Sequence, residues 1–324
     1  MSASISIENI STVPQPQEDT DISPNARSTS YEDIQVTQQL SNSRFPVFLA
    51  YSPTNKKYVV MKMYPFIKDS PNPAYLNELR FMFLRHPNIV SMVGSEGRQA
   101  TLCKGTVIDV SYILMEKALC DFADLLPSVN FHSDERIART FFTQLIDGLE
   151  YLHSQGIAHL DIKTDNLLLG KDYLLKITDF DLAYKQGDRL PSSVGTVQYR
   201  APELILNECK KPMRADIYSA GIILFILKFG HLPYDENAAV QGYDLFDLLF
   251  SDPEGFWEAH AKIRGAPLDV DEDFKELFMS MVRLEPEKRA SIPQIKKSKW
   301  YNKPKYSNKE IRVVMKNIMK PLCQ

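Results

Sequence analysis

The chain has few cysteines, and they are not arranged in pairs. Its 324 residues contain four, Cys103, Cys120, Cys209 and Cys323, without the spacing of metal ligands. This pattern favours free thiols in a reducing cell interior. We therefore expect an intracellular, cytoplasmic protein, without excluding the nucleus.

Long apolar runs and a strong charge are also lacking. The longest apolar stretch, GIILFILKFG, is far short of the roughly 20 residues that a membrane-spanning helix needs. The amino terminus shows no basic start followed by an apolar stretch, so no signal peptide is expected. A net charge of −3 does not favour binding to nucleic acid or to a membrane surface.

The pattern of residues along the chain predicts three regions. Residues 1–30 are rich in Ser, Thr, Pro, Gln and Asn, which predicts a disordered tail. Residues 31–301 are predicted to form one domain with two lobes. Strand-like patterns prevail in the smaller lobe, about 36–117, together with one helix that Asn72 and Pro73 begin. Helical patterns prevail in the larger lobe, about 119–301.

Residues 302–324 form a basic carboxyl-terminal extension. The segment from Tyr301 onward carries six Lys or Arg and one Glu, a net charge of about +5. Ser307 and Glu310 fit a capping box before an apolar stripe with helical spacing: Ile311, Val314, Met315, Ile318 and Met319. Two interpretations are open: a surface helix docked on the large lobe, or a segment that binds a regulatory partner, as calmodulin targets do.

The stretch HLDIKTDNLLLGKDYLLKITDFD, residues 159–181, crowds carboxylates around a predicted hairpin. Two leucine-rich strands joined by Gly170, Lys171 and Asp172 account for the apolar residues. The hairpin gives no reason for the charged and amide side chains beside it, which are Asp161, Lys163, Asn166 and Asp179.

Several motifs in order supply that reason. VVMK, NELRF, HLDIKTDN, DFD and APE follow one another between residues 36 and 301, and together they resemble the eukaryotic protein kinase family. The resemblance implies an α+β fold with a small β-rich lobe and a larger, mainly helical lobe. It also implies that ATP and Mg²⁺ are bound.

The resemblance implies a role for each charge. Lys62 would grip the α- and β-phosphates of ATP, and Glu78 would pair with Lys62. Asp161 would accept the proton of the attacking hydroxyl, while Lys163 would neutralise the γ-phosphate. Asn166 and Asp179 would bind magnesium. Phosphoryl transfer depends mainly on such positioning and neutralisation of clustered negative charge, which explains the crowded carboxylates.

The resemblance also assigns the residues around the nucleoside. Met115 would be the gatekeeper, and Glu116 and Ala118 would offer backbone hydrogen bonds to adenine. The remaining positions are a roof, a floor and a ribose contact: Phe48 and Val60 above the ring, Leu168 below it, and Asp121 near the ribose. For Asp121 a merely exposed aspartate is an equal alternative.

The substrate class follows from two residues. A lysine two positions after Asp161, and Thr196 in GTVQYRAPE, resemble kinases that phosphorylate serine and threonine. Protein substrates with such hydroxyls are therefore expected partners. Two further matches are structural: Asp216 as the anchor of the catalytic loop, and Glu203 paired with Arg289.

The sequence departs from the family at the lid over the phosphates and in two motifs. SNSRFP replaces a glycine-rich loop, with Ser41, Ser43 and Pro46 at the glycine positions. Leu160 replaces the arginine that senses a phosphorylated activation segment, and Asp181 replaces a glycine. An inactive pseudokinase that binds partners is thus an alternative. Because the six side chains with assigned roles, five charged and one amide, are all present, we favour an active kinase.

Overall fold

The computed structural model describes most of the chain. Its described ranges are 5–6, 34–42, 44–103, 106–127, 129, 131, 134–189, 194–234, 244–268 and 270–320. Apart from the two residues at 5–6, the tail predicted to be disordered lies outside these ranges. Two compact units are present: residues 1–85 with 90–117, and residues 86–89 with 118–324. The outer domain limits at residues 31 and 301 stay a prediction.

The first unit is a six-stranded sheet with one helix. The sheet order is β1-β5-β6-β4-β3-β2, and every pair is antiparallel except β1 with β5. The elements are β1 Ile5–Ser6, β2 Gln35–Asn42, β3 Pro46–Ser52, β4 Lys57–Pro65, α1 Pro73–Leu79, β5 Met92–Cys103 and β6 Thr106–Glu116.

Helix α1 begins as the sequence predicts and ends at Leu79. The side chain of Asn72 accepts a hydrogen bond from the backbone of Ala74 at 3.0 Å, and Pro73 occupies the first turn. After Leu79 the chain continues in tight turns, because its backbone N–H groups bond three residues back instead of four, as Phe81 does to Glu78. The helix is therefore only seven residues long.

The second unit is mainly helical. Its helices are α2 Phe122–Leu125, α3 Glu135–Ser154, α4 Pro202–Ile205, α5 Pro212–Phe229, α6 Leu245–Ser251, α7 Pro253–Arg264, α8 Glu272–Met281, α9 Ile292–Lys297, α10 Lys299–Asn302 and α11 Asn308–Met319. Short strands accompany them: β7 Cys120–Asp121, β8 Ile157–Ala158, β9 Leu167–Leu169, β10 Leu175–Ile177 and β11 Tyr184–Lys185. A β-rich unit and a mainly helical unit confirm the predicted α+β class.

Helices α3 and α5 build the core of the second unit. Helix α5 is apolar around its whole circumference and is buried from Ala215 to Leu227. It ends at Gly230, whose φ of 78° closes the last turn in the left-handed conformation that glycine adopts freely. Helix α3 packs against α5 and also contacts strand β10 of the short β9–β10 hairpin.

The carboxyl-terminal helix packs on the second unit. Ser307 and Glu310 form the predicted capping box at the start of α11. Ile311 and Met315 are fully buried, and the backbone of Tyr306 donates a hydrogen bond to Thr140 of α3 at 2.9 Å. Of the two interpretations of this segment, these contacts fit a helix docked on the large lobe.

Across the described ranges, no helix combines the length and apolar character needed to cross a membrane.

Candidate active site

The charged pair of the first unit joins strand β4 to helix α1. The Nζ atom of Lys62 lies 2.8 Å from Oε2 of Glu78. Both residues are buried, with exposed fractions of 6% for Lys62 and 0% for Glu78. Burial of two opposite charges is tolerated only when they pair closely, so each fixes the position of the other.

One face of the first sheet carries this lysine and the predicted gatekeeper. Residues that pair directly across two strands point to the same face. Val60 pairs with Met115 and Lys62 with Ile113, so these side chains share one face of β4 and β6. At the end of β6, the carboxylate of Glu116 accepts a hydrogen bond from the backbone of Ser91 at 2.7 Å.

The predicted position of Phe48 above the adenine needs correction. In the β3–β4 hairpin Phe48 pairs with Met61, and Val47 pairs with Lys62. Side chains alternate along a strand, so Phe48 lies on the face opposite to Lys62 and Val60. There it belongs to a buried cluster with Ala50, Val59, Met61, Met63, Tyr112 and Leu114. Val47, and not Phe48, shares the face of the lysine.

The lid is a tight hairpin between β2 and β3. Ser41 pairs with Val47 and Asn42 with Pro46, while Ser43 lies outside the described residues. Phe45 at the tip is buried, and its ring centroid lies 5.6 Å from Nζ of Lys62. An aromatic ring thus shields this ammonium within the first unit.

In the second unit, four donors surround the carboxylate of Asp161. Its Oδ1 atom accepts from the backbone N–H of Thr196 at 2.7 Å and from the Thr196 hydroxyl at 2.8 Å. Its Oδ2 atom accepts from the Asn166 amide at 2.9 Å and lies 3.1 Å from Nζ of Lys163. The ammonium of Lys163 also donates to the Thr196 hydroxyl at 2.8 Å. The structure therefore brings four predicted residues together and fixes the carboxylate.

A buried aspartate on α5 anchors the loop that carries Asp161, residues 159–166. Asp216, with an exposed fraction of 0%, accepts from the backbone N–H groups of His159 at 2.9 Å and Leu160 at 2.8 Å. It also bonds the ring of His153 at 2.8 Å. Leu160 has a φ of 65°, a conformation that costs energy for a side chain with a Cβ. The bonds to Asp216 hold that strained residue immediately before Asp161.

The segment before APE approaches the loop closely at one glycine. Gly195 has a φ of 86°, and a Cβ added there would lie 2.3 Å from the backbone oxygen of Leu160. Only glycine fits both the conformation and the space, which brings Thr196 within reach of Asp161. One helical turn further on, the hydroxyl of Tyr199 bonds that of Thr164 at 3.0 Å.

The β9–β10 hairpin places Asn166 and Asp179 at its open end. The backbone N–H of Thr178, adjacent to Asp179, donates to the Asn166 carbonyl at 3.0 Å. The side-chain nitrogen of Asn166 donates to the backbone oxygen and to Oδ2 of Asp161, each at 2.9 Å. The side-chain oxygen of Asn166 lies at the other end of the same amide group. An amide oxygen and a carboxylate are hard donors that suit magnesium, which binds to few protein ligands alongside phosphates.

Two further observations bear on the DFD motif and on metals. Asp181 is not among the described residues with a positive φ, so the loss of glycine there imposes no backbone strain. Phe180 is fully buried, with its ring 5.1 Å from that of His159. Among the described residues there is no group of three or more His, Cys, Asp or Glu side chains that could hold a metal.

The predicted floor and ribose contact are neighbours in the second unit. Asp121 on β7 pairs with Leu168 on β9, and the half-buried Ala118 lies two residues before β7. Although the residue is exposed, partial desolvation by its neighbours raises the pKa of Asp121, and the charges of Asp124 and Asp165 raise it further. Hydrogen bonds donated by a ligand would stabilise the charged form of such a carboxylate.

A bidentate ion pair secures the APE helix. Both nitrogens at the tip of Arg289 bond the two carboxylate oxygens of Glu203 at 2.6 Å. The guanidinium also donates to the backbone oxygens of Arg283, Arg214 and Leu284, at distances from 2.7 to 3.1 Å. These hydrogen bonds stabilise the buried guanidinium of Arg289 and connect α4 to the loop after α8.

Residues beyond those predicted contribute to the site. Val47, and not Phe48, lies on the face of Lys62. The length of the β3–β4 turn, which sets the pairing of Val47 with Lys62, is the feature of the sequence that could have predicted this. Gly195 brings the activation segment against Leu160, and the glycine beside Thr196 was its signal. Nothing in the predicted motifs singled out Tyr64, two residues after Lys62 on the same face.

Comparison with known proteins shows the family. Residues 44–301 match the protein kinase domain family. The match covers well over half of the chain, and the chain belongs to this family, as its motifs predicted.

Relatives with similar sequences carry kinase names. The serine/threonine-protein kinases STK11 of Xenopus laevis and Homo sapiens are each 32% identical over 68% of this chain and 48% of their own lengths. CBL-interacting protein kinase 28 of Oryza sativa subsp. japonica is 35% identical over 53% of this chain and 38% of its own length. The chain thus matches less than half the length of these relatives.

Proposed function

We propose that the chain is an ATP-dependent serine/threonine protein kinase that transfers the γ-phosphate to protein hydroxyls. The observation that carries this proposal is the set of four donors around Asp161, in which Thr196 and Lys163 both take part. These donors hold the carboxylate in one orientation, which is the main requirement for a base that aligns a hydroxyl. The kinase names of the relatives support the proposal and do not favour a pseudokinase.

Each residue has a distinct part in the proposed reaction. Asp161 would accept the hydrogen bond of the acceptor hydroxyl and take its proton as the new O–P bond forms. Lys163 would neutralise charge on the transferred group, and Lys62, held by Glu78, would hold the remaining phosphates. Asn166 and Asp179 would hold magnesium, which supplies further neutralisation when it is bound.

The nucleoside contacts form part of the same proposal in revised form. Val47 and Val60 would cover adenine, Met115 would be the gatekeeper, and Leu168 would lie beneath the ring. Glu116 and Ala118 would offer backbone hydrogen bonds, and Asp121 would bond the ribose.

The remaining proposals concern partners and location. Proteins with serine or threonine acceptors are the expected substrates, and the cytoplasm is the expected compartment. A regulatory partner of the carboxyl-terminal segment would have to bind the exposed side of α11, where Lys309, Arg312 and Lys316 lie. The buried Ile311 and Met315 favour a packing role for this helix.

The proposal is tested by phosphate incorporation into casein with magnesium and labelled ATP. The Asp161→Asn variant should lose transfer by about 100-fold or more. Asp147→Asn is a matched control, because it makes the same change on the surface of α3, where Asp147 binds Lys296 at 2.8 Å. Equal incorporation by the wild-type protein and Asp161→Asn would refute the assignment of the base.

A further inference from the structure

Strand β4 carries a second polar residue on the face of Lys62, the lysine proposed to hold the ATP phosphates. Lys62 and Tyr64 are two residues apart, so their side chains leave the strand on the same side. The hydroxyl of Tyr64 donates a hydrogen bond to Oε2 of Glu78. This is the same oxygen that accepts the Lys62 ammonium at 2.8 Å. Two neighbouring residues of one strand therefore hold one carboxylate oxygen of α1.

The ring of Tyr64 is held as firmly as its hydroxyl. Tyr64 is fully buried, and its ring centroid lies 4.6 Å from that of Phe45 and 5.7 Å from that of Tyr75. The ammonium of Lys62 lies 5.1 Å from the Tyr64 ring. With rings packed on it from the lid and from α1, the hydroxyl has a fixed direction.

Helix α1 is in particular need of such a tether. It has seven residues, too few for a helix to be stable without tertiary contacts. Glu78 lies in its last turn and has an exposed fraction of 0%, so a change in its position would leave a buried charge without donors. A second donor on Oε2 therefore fixes both the helix and the lysine.

We propose that Tyr64 is a positioning residue that fixes the Glu78 carboxylate, and through it the Lys62 ammonium, in the arrangement that binds ATP phosphates. The proposal rests on the proposed kinase function. It assigns to this residue a role independent of any phosphate on the activation segment. That independence matters here because Leu160 cannot bind such a phosphate.

The Tyr64→Phe variant tests the proposal because it keeps the ring contacts and removes only the hydroxyl. Loss of a donor to a buried carboxylate should lower kcat/KM for ATP by about 10-fold, with KM for casein unchanged. Tyr75→Phe is the matched control, since its hydroxyl bonds Ser95 and not Glu78. A merely structural role for Tyr64 would lower the melting temperature and leave kcat/KM for ATP unchanged.

A double-mutant cycle identifies the partner. In a Glu78→Leu background, Tyr64→Phe should cause no further loss of kcat/KM for ATP, because no acceptor is left for the tyrosine hydroxyl. An equal loss in both backgrounds would overturn the proposal, and so would full activity of Tyr64→Phe alone.

Hydrogen exchange keeps the tether testable even if the chain transfers no phosphate. The backbone amides of residues 74–79 should exchange about 10-fold faster in Tyr64→Phe than in the wild-type protein or Tyr75→Phe. Absence of phosphate transfer in the wild-type protein would count against the proposed function alone. Identical exchange in all three proteins would overturn the role of Tyr64.

Discussion

The two halves of the chain, the first and the second unit, differ in how their predicted site residues depart from the family. In the second unit, Asp161, Lys163, Asn166 and Thr196 keep the motif residues and form one hydrogen-bonded set. In the first unit, Lys62 and Glu78 keep their charges, while the lid around them has lost its glycines. The comparison shows that the chain keeps the charged side chains of the family and lacks the glycines that let the backbone of the lid approach phosphate.

Physical chemistry explains why these two kinds of feature can separate. A missing charge at the reacting phosphate costs about 3 kcal/mol or more, because nothing else neutralises the transition state there. A lid glycine contributes backbone N–H groups and close approach, which other donors can partly replace. The aromatic packing of Phe45 on Tyr64 gives the lid of this chain a different support.

The largest effect is expected from removal of the retained charges in either half. Lys62→Met in the first unit and Asp179→Asn in the second should each lower phosphate transfer by about 100-fold or more, with the fold intact. Initial rates and circular dichroism would measure both properties. If either variant kept full activity, the half that contains it would not belong to the catalytic set.

The next effect concerns the anchor of the second half. Asp216→Ala should lower the free energy of unfolding by about 3–5 kcal/mol, because the backbone N–H groups of His159 and Leu160 lose their buried acceptor. Asp216→Asn keeps one acceptor oxygen and should lose less. Urea unfolding of the wild-type protein and the two variants measures these differences. If Asp216→Ala were as stable as the wild-type protein, the loop would be anchored elsewhere.

A smaller effect separates the two faces of the first sheet. Phe48→Val should lower the free energy of unfolding by about 1–3 kcal/mol and leave ATP affinity unchanged, because Phe48 belongs to the buried cluster on the far face. Val60→Ala, on the lysine face, is the control and should alter ATP affinity instead. Urea unfolding and calorimetry with a non-hydrolysable ATP analogue would detect a reversal of these roles.

The carboxyl-terminal helix provides a test outside the two halves. Deletion of residues 304–324 should lower the melting temperature by about 5 °C, because the buried contacts of Ile311 and Met315 are lost. The rate of transfer should not rise. Marked activation on truncation, decreasing at high salt, would instead indicate that the basic segment inhibits the enzyme.

The smallest effect is expected in the activation segment. Ser192 and Ser193 lie outside the described residues, and Leu160 replaces the arginine that would bind a phosphate there. The double variant Ser192→Ala with Ser193→Ala should therefore change the rate by less than about two-fold. A large loss of activity in a folded double variant would show that another basic residue reads a phosphate.

The family and fold class could be predicted because the motif residues stand in order at fixed spacing. The position of Phe48 could not be found by counting from the lid motif, because a lid without glycines gives no fixed point for the count. The four residues between Ser52 and Lys57 set the register and so decide the face. Tyr64 escaped prediction for another reason: its partner Glu78 lies on a helix whose approach to β4 is a tertiary property.

The central claim is that the retained charges transfer phosphate despite the altered lid. Its most direct test is the initial rate of phosphate transfer from Mg-ATP to casein, measured over a wide range of ATP concentrations. We expect a rate that saturates, with phosphate found on serine and threonine, and that disappears in Asp161→Asn. KM for ATP should be about 10- to 100-fold above that of a relative with a glycine-rich lid. No transfer at any ATP concentration, in a protein that binds the nucleotide by calorimetry, would contradict the claim.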